Sequence, residues 1–162
     1  MHKDMRKEVL GPTPLSVALL SSEAWLDLEQ VAQVQVTSEH PDFPVQSAFR
    51  FGSSDGWRAG NTGEQTIRLV FDRPQRVNRI WLRFHEAVIE RTQEFTLRWS
   101  ADQKQEGIEI VRQQWNFSPE GSSTEIEDYT VNLQGVLLLE LTIIPDVGRG
   151  QAVATLADWC IG

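Results

Sequence analysis

Side chains able to act together on a ligand are densest between Asp55 and Asn61, in the run Asp55-Gly56-Trp57-Arg58-Ala59-Gly60-Asn61. An indole face covers the C–H face of a ring, while arginine, aspartate and asparagine offer directional hydrogen bonds to hydroxyl or carboxylate groups. That is the vocabulary of small polar ligand recognition. The competing reading buries Trp57 as a cap on the core, with Arg58 exposed or paired to a loop carboxylate. His40, Arg91, Trp115 and Asn116 are further candidates contributed by other loops. A second set, Arg79, Trp81 and Arg83, shares one strand face. It suits a cation–π ladder or an anionic partner, or a surface covered by a second copy in a homodimer or by another protein.

Catalytic constellations are harder to find. The chain has no GxSxG elbow, HExxH helix, GxxxxGK[ST] loop or GxGxxG turn after a strand. His2, His40 and His85 are far apart, short of the three or four arranged ligands of a catalytic metal. Glu86, Glu90 and Glu94 fall at helical spacing, as a carboxylate pair for acid/base work would. Arg83, Arg91 and Arg98 interleave with them, and an alternating surface charge is the plainer account. Glu125, Glu127, Asp128 and Asp146 lie in an interval, 113–148, free of Lys and Arg. They can be imagined around calcium with backbone oxygens, but match no EF-hand loop. The expectation is a protein that is not an enzyme.

The elements that must position these residues come from a chain of 162 residues, 40% of them hydrophobic, which is the size of one domain with a real core. A formal charge of -8 argues against a general nucleic-acid binder. No apolar run approaches the roughly 20 residues that span a bilayer, since even 136–144 is interrupted by Glu140; no membrane partner is expected. Cys160 is the only cysteine, which excludes an internal disulfide and a cysteine zinc site and points to a reducing, cytoplasmic setting. Residues 1–14 end in Gly-Pro-Thr-Pro and read as a flexible lead-in, leaving 15–162 as a single domain. Arginine outnumbers lysine twelve to three, favouring planar hydrogen bonding over diffuse charge.

Along that domain, residues 22–30 suit a short helix or a loop leading into a strand. From Val31 the period is two: Ala32, Val34 and Val36 face one way, Gln33, Gln35 and Thr37 the other. A short extended piece is expected at 48–51 and a loop through 52–63. Alternation returns at Ile67, Leu69 and Phe71. After Asp72-Arg73-Pro74-Gln75 it resumes over 77–85, and again at Phe95, Leu97 and Trp99. A strand at 108–112, extended or turning away through 117, precedes a polar stretch, 118–128. Tyr129, Val131 and Leu133 follow, and Gly135 breaks them from the apolar 136–144. An apolar segment, 152–161, ends the chain. Seven or eight short strands without a long helical period favour an all-β, antiparallel two-sheet sandwich.

The motifs, in order, resemble those of the galactose-binding-like superfamily, especially its discoidin-type (F5/8 type C) modules. They run from Val34-Gln35-Val36-Thr37-Ser38 through Gly56-Trp57-Arg58-Ala59 and Gln65-Thr66-Ile67-Arg68-Leu69-Val70-Phe71. Arg79-Ile80-Trp81-Leu82 and Glu94-Phe95-Thr96-Leu97-Arg98-Trp99-Ser100 follow, and Ala154-Thr155-Leu156-Ala157-Asp158-Trp159-Cys160-Ile161-Gly162 closes the set. The resemblance covers 31–162. It implies an eight-stranded jelly-roll whose loops at one end bind sugars, other small polar ligands, lipid head groups or protein partners. It also implies that Trp57 is largely structural, leaving Arg58 and its neighbours as the better site candidates. Many secreted members join their ends by a disulfide; with Cys160 alone, this chain is similar to the intracellular or disulfide-free branches. Some relatives hold a structural calcium near the sheet edge, and no residue pattern here carries that ion over. The functional expectation is a non-catalytic module for carbohydrate or another small polar ligand, with an assembly role for the Arg79, Trp81 and Arg83 face as the alternative.

Overall fold

A computed structural model describes residues 25–51, 56–103 and 107–162. The lead-in expected at 1–14 lies outside the described residues, as does Asp55. A single helical turn, α1 (Leu28–Val31), leads into eight strands: β1 (Ala32–Val36), β2 (Trp57–Thr62), β3 (Gln65–His85), β4 (Arg91–Ser100), β5 (Ile108–Phe117), β6 (Thr124–Ile144), β7 (Val153–Leu156) and β8 (Asp158–Ile161). All the pairings are antiparallel. One sheet runs β1-β3-β6-β4-β5, with β8 also pairing β3, and β2 with β7 forms a separate ribbon. The all-β sandwich expected from the alternation is the observed fold.

Two expected breaks are absent. Asp72-Arg73-Pro74-Gln75 does not end a strand, and neither does Gly135: β3 and β6 each continue for 21 residues. The two interruptions face each other. The ladder passes from Val70↔Leu138 to Gln75↔Val136 and then Val77↔Leu133, so β3 bulges at residues 71–74 and β6 at Gly135. Proline, which has no N–H to give to a ladder, sits in the bulge, and Gly135 takes the left-handed φ of 71° that a side chain resists.

On one side of the bulges the long strands pair β1 and β4, and on the other β3 pairs β8, so the two halves of each strand serve different layers. Contacts across the layers show this directly. Phe84 of β3 packs on Phe95 of β4 with ring centroids 5.2 Å apart. Gln93 of β4 bonds Glu125 of β6. Between the layers lie Ile67, Leu69, Phe71, Ile80, Leu82, Phe84, Leu97, Leu139 and Leu141, all essentially inaccessible to solvent.

Three further local expectations change. The piece at 48–51 is not extended; a 3-10 helix occupies Val45–Phe49. The segment at 57–62 is not a loop but β2, because Trp57 and Ala59 point into the core and Arg58 and Gly60 outward. The polar stretch 118–128 yields a strand from Thr124, and β5 carries on through Phe117.

Candidate functional site

β2 brings Arg58 to one end of the sandwich. The Arg58 N–H bonds the Phe43 carbonyl at 3.2 Å and the His40 N–H bonds the Arg58 carbonyl at 2.8 Å, so the 40–43 turn is stitched to β2. Its partner on the other side is Thr155 of β7. Gly56 makes this approach feasible: at φ 60°, an added Cβ would lie 2.5 Å from the Leu156 carbonyl oxygen.

The result is a cleft of about 190 Å³ between Phe43, Arg58, Arg83, His85, Thr155 and Ala157. The Arg58 guanidinium lies 5.2 Å from the centre of the Phe43 ring, and His40 meets the same ring edge-on at 5.3 Å. Arg58 is exposed and has no carboxylate partner among the described residues. Arg83 is held differently: Asp158, buried beneath it, accepts from its Nε at 2.7 Å. Burial pushes the Asp158 carboxyl above its ordinary range, against the pull of the Arg83 charge. The His85 ring is exposed, its Nδ1 3.0 Å from Thr124 Oγ1.

The structure separates the other candidates. Trp57 belongs to the cleft lining but is 1% exposed, and its Nε1 donates to the Ser38 carbonyl at 3.1 Å, so it backs the cleft from the core rather than presenting an open ring face. Asn61 is exposed further along β2, where its carbonyl accepts from Gln65 Nε2 at 3.4 Å. Arg91 is inside the protein. It donates to Glu86 at 2.8 Å and to the Pro145 carbonyl at 2.8 Å, and stands 4.7 Å over the Phe117 ring. Burial works to raise Glu86, but Arg91 and the Val88 and Ile89 N–H groups outweigh it and hold the carboxyl low. Trp115 is half-buried against the core, opposite Gln93, and Asn116 bonds Thr92.

Arg79, Trp81 and Arg83 do not form an open interaction face. Trp81 is 3% exposed, packed with Trp25 and Cys160 and met edge-on by Phe51 at 6.2 Å. Arg79 bonds Asp128 at 2.8 Å and lies over Trp25. The cover comes from this chain's own residues. The thiol of Cys160 is pushed up to about 12 by burial and then by Asp158, which leaves it unreactive.

Nor do the acidic candidates converge. Glu86 turns to Arg91, Glu90 is in an exposed loop, and Glu94 of β4 pairs Arg112 of β5. Asp128 is taken by Arg79 and Asp146 by the Gly148 N–H, and Glu125 faces the interior. No group of three His, Cys, Asp or Glu able to hold a metal exists among the described residues. Phe43, Arg83 and Thr155 were not legible as cleft residues, because only the pairing of β2 with β7 and the 40–43 turn assembles them.

No family model and no curated protein matches this chain. Solved structures do. A family 32 carbohydrate-binding module from Clostridium perfringens, described in complex with GalNAc-β-1,3-galactose, has a TM-score of 0.62 at 17% identity, covering 85% of this chain and 99% of that one. Another, from a family 31 glycoside hydrolase of the same organism, has a TM-score of 0.63 at 14% identity, covering 85% and 93%. A Ruminococcus gnavus fucosidase reaches 0.65 at 8% identity, with 84% of this chain matching only 26% of the enzyme. These neighbours overturn the cytoplasmic expectation. They are modules and parts of bacterial glycan-active enzymes, which argues against a purely cytoplasmic location. A lone cysteine says little of compartment here, because ladders and core close this sandwich without a disulfide. The motif order, the pairing of eight antiparallel strands and these likenesses agree: the chain has the galactose-binding-like, discoidin-type β-sandwich fold.

Proposed function

We propose that the chain is a non-catalytic module that binds carbohydrate, or a polar ligand of similar size, at the end of the sandwich around Arg58. One observation carries the reading: an exposed guanidinium without a carboxylate partner among the described residues is held beside an aromatic ring at the mouth of a cleft. A sugar presents the matching surfaces, hydroxyls at its rim for Arg58 and His85 and C–H groups for the edge of Phe43. Two neighbouring arginines are already satisfied by carboxylates, Arg83 by Asp158 and Arg91 by Glu86. The cleft is small, which suits one sugar unit at the end of a chain. None of its lining residues is a carboxylate, whereas glycoside hydrolysis ordinarily needs a pair. The fold neighbours described in complex with galactose and with GalNAc-β-1,3-galactose support the ligand class.

A glycan array probed with the labelled full chain tests the proposal. The expected result is a restricted set of bound glycans, with signal reduced at least tenfold in Arg58→Ala at unchanged thermal stability. A blank array, or an Arg58→Ala pattern identical to wild type, contradicts it.

A further inference from the structure

A second concavity, larger than the end cleft, lies away from the loops. It is a groove of about 610 Å³ on the outward face of the β1-β3-β6-β4-β5 sheet, crossing all five strands. Antiparallel register lines up its side chains in rungs. One rung reads Gln35, Arg68, Glu140, Arg98, each residue directly opposite the next. The neighbouring rung reads Thr66, Thr142, Thr96, Arg112. Arg68 donates to Glu140 at 2.6 Å, and Thr66 and Thr142 hydroxyls are 3.4 Å apart.

We infer that this groove is a second binding site, taking an extended, neutral, polyhydroxylated chain: a linear oligosaccharide laid across the strands. Three features select that occupant. The lining holds three arginines, Arg68, Arg98 and Arg112, against three glutamates, Glu64, Glu94 and Glu140, so its formal charge is zero and a polyanion gains no net attraction. Fixed guanidinium and carboxylate groups alternate with hydroxyls, providing donors and acceptors in both directions along the groove, as hydroxyl groups require. No aromatic residue lines it, and its aliphatic residues are Val36 and Ile144, so neither a flat apolar ligand nor the apolar centre of a protein interface is matched. The volume falls in the range of formed ligand sites and is about three times that of the end cleft.

The carbohydrate class rests on the function proposed above, but the site is separate: Arg58 and His85 do not line the groove. Isothermal titration of the full chain with cellohexaose, xylohexaose, mannohexaose and hexagalacturonate tests it. At least one neutral hexasaccharide is expected to bind more tightly than hexagalacturonate. Thr66→Val with Thr142→Val together should weaken it at least tenfold, and the exposed Gln35→Ala should weaken it severalfold without threatening the fold. Arg58→Ala should leave it within twofold. Failure of all three neutral chains, preference for the anionic one, or groove variants that bind like wild type overturns the inference. If Arg58→Ala alone abolishes binding, the end-cleft reading stands and the groove falls; if array and titration are both blank, the two fall together. Self-association on dilution analysis, with no sugar effect, would assign the groove to a second copy instead.

Discussion

Two buried side chains define the chemistry available inside this sandwich. Glu125 faces the core, accepts from Gln93 at 3.3 Å through one oxygen, and has its carboxyl pushed up to about 8, first by burial and then by neighbouring Glu127. The same desolvation, with the Glu127 carboxylate accepting its hydroxyl proton at 2.8 Å, raises Tyr129. Between its ordinary value of 4.5 and about 8, folded Glu125 keeps a proton that the unfolded chain releases, so its contribution to stability is lost as pH rises through that window. Thermal melts should therefore show Glu125→Gln gaining on wild type steadily from pH 5 to pH 8; a constant difference across that range would contradict the assignment. Arg91 poses the opposite case, a buried cation with four partners, Glu86, Gln93, the Pro145 carbonyl and Thr155. Arg91→Ala strands the Glu86 carboxylate and should cost about 3–5 kcal/mol in urea unfolding. A loss under about 1 kcal/mol would place this network among surface ion pairs.

At the scale of the element, the bulges decide the architecture. Alternation at Ile67, Leu69 and Phe71, and again at Ile80, Leu82 and Phe84, was legible because burial on one face imposes a period of two. That the two runs are one strand was not, since Pro74 reads locally as a terminator and becomes a bulge only when Gly135 faces it on β6. Trp57 to Thr62 read as loop for a similar reason: Gly60 and Asn61 are turn formers, and pairing with β7 overrides them. Gly135 and Gly56 separate two costs of a side chain. Gly135→Ala meets no atom within 4 Å and should lose only the roughly 1–2 kcal/mol of left-handed backbone strain. Gly56→Ala adds a clash with the Leu156 carbonyl and should lose distinctly more, read by denaturant midpoints at equal m-values. Equal losses would contradict the close approach of β2 to β7.

In the whole molecule, a rigid layered core carries a small cleft at one end and a polar groove across one face. The sandwich was readable from strand spacing and motif order, whereas the cleft was readable only at Arg58 and Trp57, with His40 beside it against Phe43. Phe43, Thr155 and Ala157 are apolar or small residues without a chemical signature of their own, the first delivered by the 40–43 turn and the other two by β7 and the residue after it, about a hundred residues from Arg58. The same holds for the groove, whose rungs exist only through the register of five strands. Among the described residues no helix is long and apolar enough to cross a membrane. The central claim is that the cleft around Arg58 accepts a sugar. Its most direct test is a titration of the isotope-labelled full chain with galactose, N-acetylgalactosamine and fucose, followed by backbone amide shifts. The account predicts saturable shifts for at least one sugar, concentrated at Phe43, Arg58, His85, Thr155 and Ala157 and absent in Arg58→Ala. No saturable shift with any of the three, or shifts that leave these five amides unmoved, would contradict it.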